Sequence, residues 1–406
     1  MKWYPYKIFT RRPPLTAVDT IGDWQSEDYP LFNVTDDLSE VLAQPYKIAA
    51  IPFGYNIPDH FAYNAELSAI DFNQFDLVIV SEIEKVPYNE LQETLPISTN
   101  CLVAKGCFEY DLPKNVIYRP WWIFRHTELN GVSNHQIGQA DKQFLFEALL
   151  GQKRLHRSFV MAKFQKNPEL LNKSIVTYRS EFGKDDVYWK TPLQDNITQV
   201  LDGSELEWPY VSPNLDSEWE VDNPYSSGIN NQISEFTPWK IYDKTLYSIV
   251  CETDWHNTVI DPLNPGRDSP GPFFISEKIA KVILGQRLFV MFGPMHILKF
   301  LKEQGFRTFN SVIDEGYDNE SDVCQRFTKA WEQVEYLASC DPKQVLHTTL
   351  GVRKHNLKHL YEYRRIHKNR MTREIVDQIP DQYLSDEFYN LPQLEHNELI
   401  RTKWSR

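Results

Sequence analysis

Short runs of apolar residues, separated by polar loops, set the pattern of this chain and predict a fold built on sheets. Such runs are found in both halves of the sequence, at 46–53, 76–80, 100–104, 115–118, 174–179, 248–253 and 288–293. Uninterrupted apolar runs of this length are typical of strands that are buried on both faces in a parallel sheet. Helical periodicity between the runs predicts alternating strands and helices, so the expected class is α/β.

The length of 406 residues exceeds what one ordinary core holds, which predicts two α/β domains with an extension. We expect an N-terminal, acceptor-side domain at 1–150, closed by an amphipathic helix at 138–150. A second, donor-binding domain is expected at 151–345. Within it, residues 183–240 have little periodicity and are predicted to form a long insertion or lid. A basic helix and a polar tail would occupy 346–406.

The amino-acid composition narrows the class of protein further. The chain is 41% hydrophobic and 14% aromatic, which is typical of a folded globular protein. Its five cysteines form no C-x-x-C pair, and no apolar run reaches the length of a membrane span, so we expect reduced thiols in a cytoplasmic protein. The net charge of −13 disfavours indiscriminate nucleic-acid binding.

One segment departs from this acidic balance. Residues 353–373 carry eight Lys and Arg side chains against the single acidic residue Glu362, at spacings that suit a long amphipathic helix. A solvated helix surface that packs against an acidic body is the favoured interpretation. A site for a polyanion is the alternative.

The most informative pattern is a βαβ unit in the second half. The apolar run at 248–251 ends at Glu252, a polar loop follows, and a helix is predicted to open with Glu277 and Lys278 before the strand at 288–293. Ligands bind at the carboxyl ends of parallel strands in open α/β sheets. Free N–H groups at a helix start, together with the charge of Lys278, predict an anionic ligand, most plausibly a diphosphate.

Arg179 follows another predicted strand and would join Glu252, Glu277 and Lys278 at this edge. Cations are needed to cancel charge on a departing diphosphate, and a carboxylate binds ribose hydroxyls by accepting two hydrogen bonds. Taken singly, each of these residues is more often part of a surface ion pair. Their joint arrangement is what favours a nucleotide-sugar site.

Four segments, in this order, resemble the donor-binding half of the α-1,3/4-fucosyltransferases. They are Val-Thr-Tyr-Arg-Ser at 176–180, Ile-Val-Cys-Glu-Thr at 249–253, Phe-Ile-Ser-Glu-Lys at 274–278 and Leu-Phe-Val-Met-Phe-Gly at 288–293. The resemblance covers roughly 174–315 and extends to fucosyltransferase-like proteins of phages and marine bacteria. Cys251-Glu252-Thr253 replaces the Phe-Glu-Asn of that family, and Ser276 replaces a threonine, which leaves the sugar open.

The resemblance implies two Rossmann-like domains that face each other across a cleft, the GT-B architecture, with a C-terminal helical extension here. It implies that Arg179 and Lys278 contact the donor diphosphate, that Glu252 and Glu277 bind ribose or sugar hydroxyls, and that Tyr178 lies against the nucleotide. Transfer with inversion and without an essential metal is also implied. No Asp-x-Asp triplet follows an apolar strand, which agrees with that expectation.

An inverting displacement needs a general base for the acceptor hydroxyl. Glu82, which follows the apolar run at 76–80, is our candidate, since the fucosyltransferases have a glutamate in a comparable place. Glu84 and the pair Asp59-His60 compete with it. An exposed loop carboxylate without a catalytic role is an equally simple interpretation.

The leading hypothesis is therefore a metal-independent, inverting glycosyltransferase that uses a GDP- or UDP-sugar and no cofactor. Its acceptor would be the hydroxyl of a cytoplasmic glycan or lipid-linked saccharide. One alternative is a phage-type DNA glycosyltransferase that acts on hydroxymethylated bases and holds DNA through 353–373. A second alternative is a non-catalytic module that binds a sugar or a nucleotide.

Overall fold

The computed structural model describes most of the second half of the chain and parts of the first. The described residues are 6–9, 32–35, 37–53, 71–82, 101–106, 115–118, 122, 140–151, 154–178, 192–207, 210–215, 237–253, 255 and 275–383. The chain forms two compact units. The first comprises Met1–Phe124 together with Glu362–Arg406, and the second is Arg125–Tyr361.

The first unit contains a parallel sheet of six strands in the order β2-β1-β3-β4-β5-β6. Its strands are β1 (Tyr6–Phe9), β2 (Phe32–Thr35), β3 (Ile48–Phe53), β4 (Leu77–Glu82), β5 (Cys101–Lys105) and β6 (Val116–Tyr118). The central apolar residues, such as Ile48, Ile79 and Leu102, are buried, as the uninterrupted hydrophobic runs predict. Helix α1 (Leu38–Leu42) begins at Asp37, whose side chain accepts hydrogen bonds from two N–H groups of the first turn.

The C-terminal segment belongs to this first unit through aromatic contacts. The buried ring of Trp122 lies 6.0 Å from that of Tyr363, and the hydroxyl of Tyr46 donates to the Gln378 carbonyl at 2.9 Å. These contacts join the described residues 363–378 to residues more than two hundred positions earlier in the chain.

The second unit contains a sheet of five strands in the order β11-β10-β7-β8-β9. Its strands are β7 (Phe144–Gly151), β8 (Ser174–Tyr178), β9 (Tyr210–Val211), β10 (Thr245–Cys251) and β11 (Leu288–Phe292). All pairs are parallel except β8 with β9, which is antiparallel at the edge. Strands β8, β10 and β11 are buried along their whole length, so this sheet forms the core of the unit.

Helices lie between and after the strands of this second sheet, and several begin at residues typical of helix starts. They are α2 (Leu155–Gln165), α3 (Pro168–Asn172), α4 (Pro192–Leu201), α5 (Trp239–Lys244), α6 (Glu277–Leu284), α7 (Ile297–Glu303), α8 (Val323–Ser339) and α9 (Pro342–Val376). Helix α6 begins after Ser276, whose hydroxyl accepts from the Lys278 N–H, and ends at Gly285. Asp322 caps α8 in the same way, by accepting from the Gln325 N–H. Helix α9 is the predicted basic helix, and it begins eleven residues before 353.

The sheet order creates a switch point at its centre. The chain runs from β7 through α2 to β8 on one side, and from β10 through α6 to β11 on the other side. Strands β7 and β10 are neighbours, so the two crossovers leave in opposite directions from adjacent strands. The carboxyl ends of such a strand pair border a crevice, which is the usual ligand position in this class of fold. One parallel sheet and one sheet that is parallel except at its edge, both with helices between strands, confirm the predicted α/β class, and the βαβ unit around Glu252 is confirmed.

The predicted helix at 138–150 is wrong, because Phe144–Gly151 is strand β7. Its apolar run is too short to show a helical or strand period, and pairing with β8 and β10 on both sides decides the outcome. A boundary at 150 would separate this strand from its sheet, whereas the compact unit begins at Arg125. The second unit also extends to Tyr361 rather than 345.

The region 183–240 was predicted as an insertion without regular structure, but its described parts contain α4 and β9. Leu193, Ile197 and Leu201 are buried on one face of α4, at a spacing of four residues. Strand β9 extends the sheet, and the Ser212 N–H donates to the Val176 carbonyl at 2.9 Å. These elements therefore belong to the second unit.

Candidate donor-binding site

Glu252 lies directly after β10 and is completely enclosed. Its N–H donates to the Phe292 carbonyl at 3.0 Å, which continues the pairing with β11. Its carboxylate accepts from the Thr253 N–H at 2.8 Å and from the Ser276 N–H at 3.2 Å to each oxygen. The carboxylate thus fastens the end of β10 to the start of α6, across a gap of 24 residues in sequence.

Lys278 lies in the first turn of α6 and points back to the end of β10. Its Nζ donates to the Ser276 hydroxyl at 2.9 Å and to the Thr253 hydroxyl at 3.1 Å. The Glu277 carboxylate lies 3.8 Å from the same ammonium group. The side chains of Lys278 and Glu277 are 25% and 14% exposed, so both retain access to solvent at the N-terminus of the helix. A positive charge at this position adds to the positive end of the helix dipole.

The start of α2 reaches the same segment from the neighbouring strand. A guanidinium nitrogen of Arg154 donates to the Thr253 carbonyl at 2.6 Å. The ring Nε2 of His156 lies 2.6 Å from the Glu252 carbonyl oxygen, a distance at which it donates to that oxygen in its Nε2-protonated form. Arg157 is buried in the first turn of α2. The carboxyl ends of β7 and β10 are therefore joined through 252–253.

The pKa of the Cys251 thiol, at the last residue of β10, depends on the charged groups around it. Burial raises its pKa to about 12, while the positive charges of Arg157 and Lys278 act in the opposite direction and the charge of Glu252 acts with burial. Two cations from different helices therefore lie close enough to influence one buried atom. The thiol stays protonated near neutral pH and has no nucleophilic character.

The helix start that follows β11 has a protein carboxylate in place. Asp318 accepts from the N–H groups of Leu298 and Lys299 in α7 at 3.0 and 2.9 Å. Burial raises the pKa of Asp318, whereas these two hydrogen bonds lower it. An external anion would have to displace this carboxylate to bind at the start of α7.

Of the other residues predicted for the site, some have a described position and others lie outside the described residues. Tyr178, at the end of β8, is fully buried, and its hydroxyl shares a hydrogen bond of 2.7 Å with the Ser158 hydroxyl of α2. Contact with a nucleotide would require the ring to leave this position. Arg179 lies outside the described residues. Glu82 is the last residue of β4, opposite Phe53 and Lys105 in the sheet register, at a carboxyl strand end of the first unit. Glu84, Asp59 and His60 also lie outside the described residues.

The predicted basic face of 353–373 is only partly exposed. Arg353 is buried and donates to the carbonyls of Leu346 at 2.7 Å and Gln286 at 3.3 Å. Arg370 lies 3.5 Å from the Glu374 carboxylate. The side chains of Lys354, Lys358 and Arg365 are exposed along the helix. The basic surface is thus smaller than the sequence suggests.

Within the described ranges, no three His, Cys, Asp or Glu side chains come together in a way that could hold a metal ion. None of the helices in these ranges combines the length and the apolar character that crossing a bilayer requires.

No protein-family model matches the sequence, and no curated protein matches it. Several solved structures show weak similarity, among them the three that follow. A trehalose-6-phosphate protein from E. coli, bound with UDP-2-fluoro glucose, is 12% identical over 90% of this chain and 83% of its own, with a TM-score of 0.43. An alpha1,3-fucosyltransferase is 8% identical over 86% of this chain and 90% of its own, with a TM-score of 0.37.

A third solved structure, a UDP-forming trehalose-phosphate synthase from Burkholderia xenovorans, is 12% identical over 84% of this chain and 75% of its own, with a TM-score of 0.34. At these identities and TM-scores, the similarities establish neither a shared activity nor a shared substrate.

Proposed function

We propose that this protein is a glycosyltransferase and that it binds a nucleoside-diphosphate sugar at the carboxyl end of β10. The observation that carries the proposal is the position of Lys278. Its ammonium group is held by the Ser276 and Thr253 hydroxyls at the start of α6 and is still 25% exposed. A fixed, accessible cation at a helix N-terminus is suited to a phosphate group.

Diphosphate recognition requires charge at a position that the protein fixes in advance. Glu252 supplies the rigidity here, because its enclosed carboxylate connects β10 to the N–H of Ser276, next to Lys278. Preorganised donors stabilise the charge that develops on a leaving group without a further cost of reorganisation. Glu252 would therefore position the diphosphate site, and the more exposed Glu277 would accept hydrogen bonds from ribose or sugar hydroxyls.

The transfer itself would be a single displacement. The acceptor hydroxyl oxygen forms a bond to the anomeric carbon while the bond from that carbon to the phosphate oxygen breaks. The nucleoside diphosphate leaves with the electron pair, and the hydroxyl proton passes to a carboxylate. Glu82 is the proposed base, since the backbone places it at the end of a parallel strand. Inversion at the anomeric carbon, and catalysis without a metal, are parts of this proposal.

The donor is proposed to be a GDP- or UDP-sugar, and the acceptor a glycan or lipid-linked saccharide in the cytoplasm. Fucosyltransferase-like specificity remains part of the proposal through the motif at 274–278. A DNA acceptor is a second candidate, and the exposed Lys354, Lys358 and Arg365 of α9 favour it. The burial of Arg353 reduces the positive surface that DNA would meet.

The first test is thermal stabilisation of the full chain by GDP, UDP, CMP, dTDP and ADP. A ligand at about 100 times its dissociation constant should add roughly 2.7 kcal/mol to the free energy of unfolding. We expect one diphosphate to stabilise the protein, and Lys278→Ala to weaken its binding by about tenfold or more, because a charge-assisted contact is lost. Lys166→Ala, which removes an exposed lysine at the far end of α2, should bind as the wild type does.

Hydrolysis or transfer with the matching nucleotide sugar then separates an enzyme from a binding module. Glu82→Gln should retain ligand binding and lose turnover, because it removes only the proposed base. Stabilisation by a diphosphate without any turnover would favour the non-catalytic module. The absence of stabilisation by every nucleotide would contradict the donor site itself.

A further inference from the structure

Two residues at the carboxyl end of β10, Glu252 and Thr253, have all their polar groups in hydrogen bonds. One of these bonds joins the Glu252 carboxylate to the Thr253 N–H. The other partners come from β11, α6 and α2, and they are Phe292, Ser276, Lys278, Arg154 and His156. The peptide unit that joins 252 to 253 is therefore fixed by elements on both sides of the switch point.

The bond between His156 and the Glu252 carbonyl, at 2.6 Å, is the one that water cannot replace. Both residues are completely enclosed, and the imidazole ring lies 6.4 Å from the ring of Trp255 and 6.3 Å from that of Phe327. The carbonyl of Thr253 differs, because this residue is half-buried and solvent is near. A buried carbonyl that loses its donor must turn towards another one or remain unpaired at a cost in free energy.

A turn of this peptide unit would reach the proposed diphosphate site through one hydroxyl. The Thr253 hydroxyl accepts from the Lys278 Nζ at 3.1 Å, and the Ser276 hydroxyl is the second acceptor at 2.9 Å. If the Glu252 carbonyl turns, Thr253 moves with it, and Lys278 keeps only the acceptor on its own helix. Binding sites require their groups to be held within about 0.5 Å of the productive geometry. The ammonium group would then be less well placed for a phosphate.

We propose that His156 is a positioning residue for the donor diphosphate. By donating to the Glu252 carbonyl, it fixes the Thr253 hydroxyl, which in turn holds Lys278. This inference rests on the proposed function, since it names a group that fixes the cation of the same site. It also gives α2 a role, because the crossover after β7 then supports a site formed by the crossover after β10.

The test uses two variants of similar length and calorimetric titration of the full chain with GDP, UDP, guanosine, uridine and inorganic pyrophosphate. His156→Gln keeps an N–H donor at about the reach of Nε2, whereas His156→Met has none. We expect His156→Met to weaken the favoured diphosphate about tenfold, with no change for the corresponding nucleoside. His156→Gln should restore most of that affinity.

A double-mutant cycle tests whether His156 acts through Lys278. In a Lys278→Ala background, His156→Met should cause little further loss of diphosphate affinity, because the group that it positions is already absent. Thr253→Val removes the intermediate hydroxyl at a half-buried position and leaves the packing around His156 in place. It should weaken the diphosphate selectively as well.

Val334→Ala is the control for lost stability without lost positioning. Val334 is buried on α8, two turns beyond Phe327, which contacts the His156 ring. This variant should lower the free energy of unfolding and bind both diphosphate and nucleoside as the wild type does.

The outcomes separate this inference from the proposed function. Selective loss in His156→Met, recovery in His156→Gln and no further loss with Lys278→Ala support it. If His156→Met and Thr253→Val bind the diphosphate as the wild type does, while Lys278→Ala loses it, the inference is overturned and the donor site stands. Equal weakening of nucleoside and diphosphate, or losses that add in the double variant, would also overturn it. If the wild type binds neither diphosphate nor pyrophosphate, both proposals fall.

Discussion

The two ends of strand β10 carry similar charged groups in different settings. At its amino end, Arg287 and Glu147 are both buried beneath the sheet and its helices. At its carboxyl end, Lys278 and Arg154 keep part of their surface accessible, next to the buried Glu252. Each end thus combines cations with one enclosed carboxylate. What distinguishes them is how many protein partners each cation has.

Arg287 is saturated by the protein. Its five N–H donors match five acceptors in the sheet and in α5. They are the Ser248 hydroxyl at 3.1 Å, the Thr245 hydroxyl at 2.7 Å, and the carbonyls of Tyr247 at 2.9 Å, Tyr242 at 3.1 Å and Thr245. Its guanidinium also lies 4.9 Å from the centre of the Tyr242 ring. Such a cation has no donor left for a ligand, so its role is structural.

Lys278 and Arg154 have fewer protein acceptors in the described part of the chain. Lys278 donates to two hydroxyls, and Arg154 to one carbonyl. Both groups are nevertheless held in place, because these acceptors belong to the segment that Glu252 fastens. Fixed cations with spare donors are what an anionic ligand requires. The comparison shows that the number of protein partners, rather than charge alone, separates a structural arginine from a cation that has donors left for a ligand.

Replacing Arg287 should have the largest effect on stability. Arg287→Met removes five hydrogen bonds and leaves the buried Glu147 without the positive charge that most strongly favours its ionised form. Removing one partner of a buried charge pair costs about 3–5 kcal/mol. Denaturant unfolding should show that loss. The affinity of the remaining folded protein for a nucleoside diphosphate should be unchanged, because Arg287 lies at the other end of β10.

The double variant Arg287→Met with Glu147→Gln tests the cause of this loss. Burial raises the pKa of Glu147, so the carboxyl is ready to take up a proton once its cation is removed. We expect the second substitution to recover part of the stability, since it removes the orphaned charge. If the losses of stability caused by Arg287→Met and by Glu147→Gln simply add in the double variant, the two groups do not interact. A selective loss of diphosphate affinity in Arg287→Met would contradict the purely structural role given to Arg287 at the amino end of β10.

The sequence predicts the carboxyl end of β10 better than the amino end, for a physical reason. Glu252 and Lys278 follow strand ends in a local βαβ unit, and the topology of such a unit brings its loops to one edge. Arg287 also lies beside a strand, at the start of β11. From sequence alone it resembles a surface cation, because its acceptors come from residues about forty positions earlier.

Arg154 and Arg157 were missed for a related reason. From the sequence alone, two basic residues before and within an amphipathic helix are predicted to lie on its solvated face. The burial of Arg157 and the half-burial of Arg154 follow from the position of β7, and the run at 144–151 does not show a strand period. Once that run is a central strand, the next residues must open a helix at the ligand edge. The position of these two arginines therefore depended on a strand that the sequence did not reveal, whereas the sheets themselves followed from the hydrophobic runs.

Glu252→Gln should have the second largest effect and sharpen the description of the carboxyl end. The amide oxygen, in the position of Oε2, can still accept from the N–H groups of Thr253 and Ser276, but the new NH₂ group replaces the other oxygen, 3.2 Å from the Ser276 nitrogen, and brings a second donor against that N–H. A buried donor without an acceptor costs about 1–3 kcal/mol. Denaturant unfolding should show this loss, and calorimetry should show weaker diphosphate binding because Lys278 is less well fixed.

Glu332→Gln on α8 is the control, since its carboxylate is exposed and its removal should change stability by less than about 0.5 kcal/mol. Unchanged stability of Glu252→Gln with a loss confined to the nucleoside part of the ligand would favour direct ribose binding. In that case Glu252 would be a ligand-binding residue rather than a positioning residue, and the two ends of β10 would differ less than described.

The smallest expected effect concerns a second cation at the amino end, Lys142, which donates to the Tyr242 carbonyl that Arg287 also contacts. Burial, with a further contribution from Arg287, lowers the pKa of Lys142 to about 8. The unfolded chain therefore binds more protons than the folded chain from about pH 8 to the ordinary lysine pKa, and wild-type stability should rise with pH across that window.

Lys142→Met removes the penalty of the buried charge and should be slightly more stable than the wild type at pH 7. The gain should stay below about 1 kcal/mol, because the group is partly exposed and its hydrogen bond is lost. Above pH 8 the wild type sheds the proton in the folded state, so the gap should narrow by pH 9.5 in urea unfolding. Lys166→Met, at an exposed site, should show no such narrowing. A gap that stays constant or widens with pH would mean that the charge of Lys142 is well accommodated, and that the amino end tolerates a second cation as readily as the carboxyl end does.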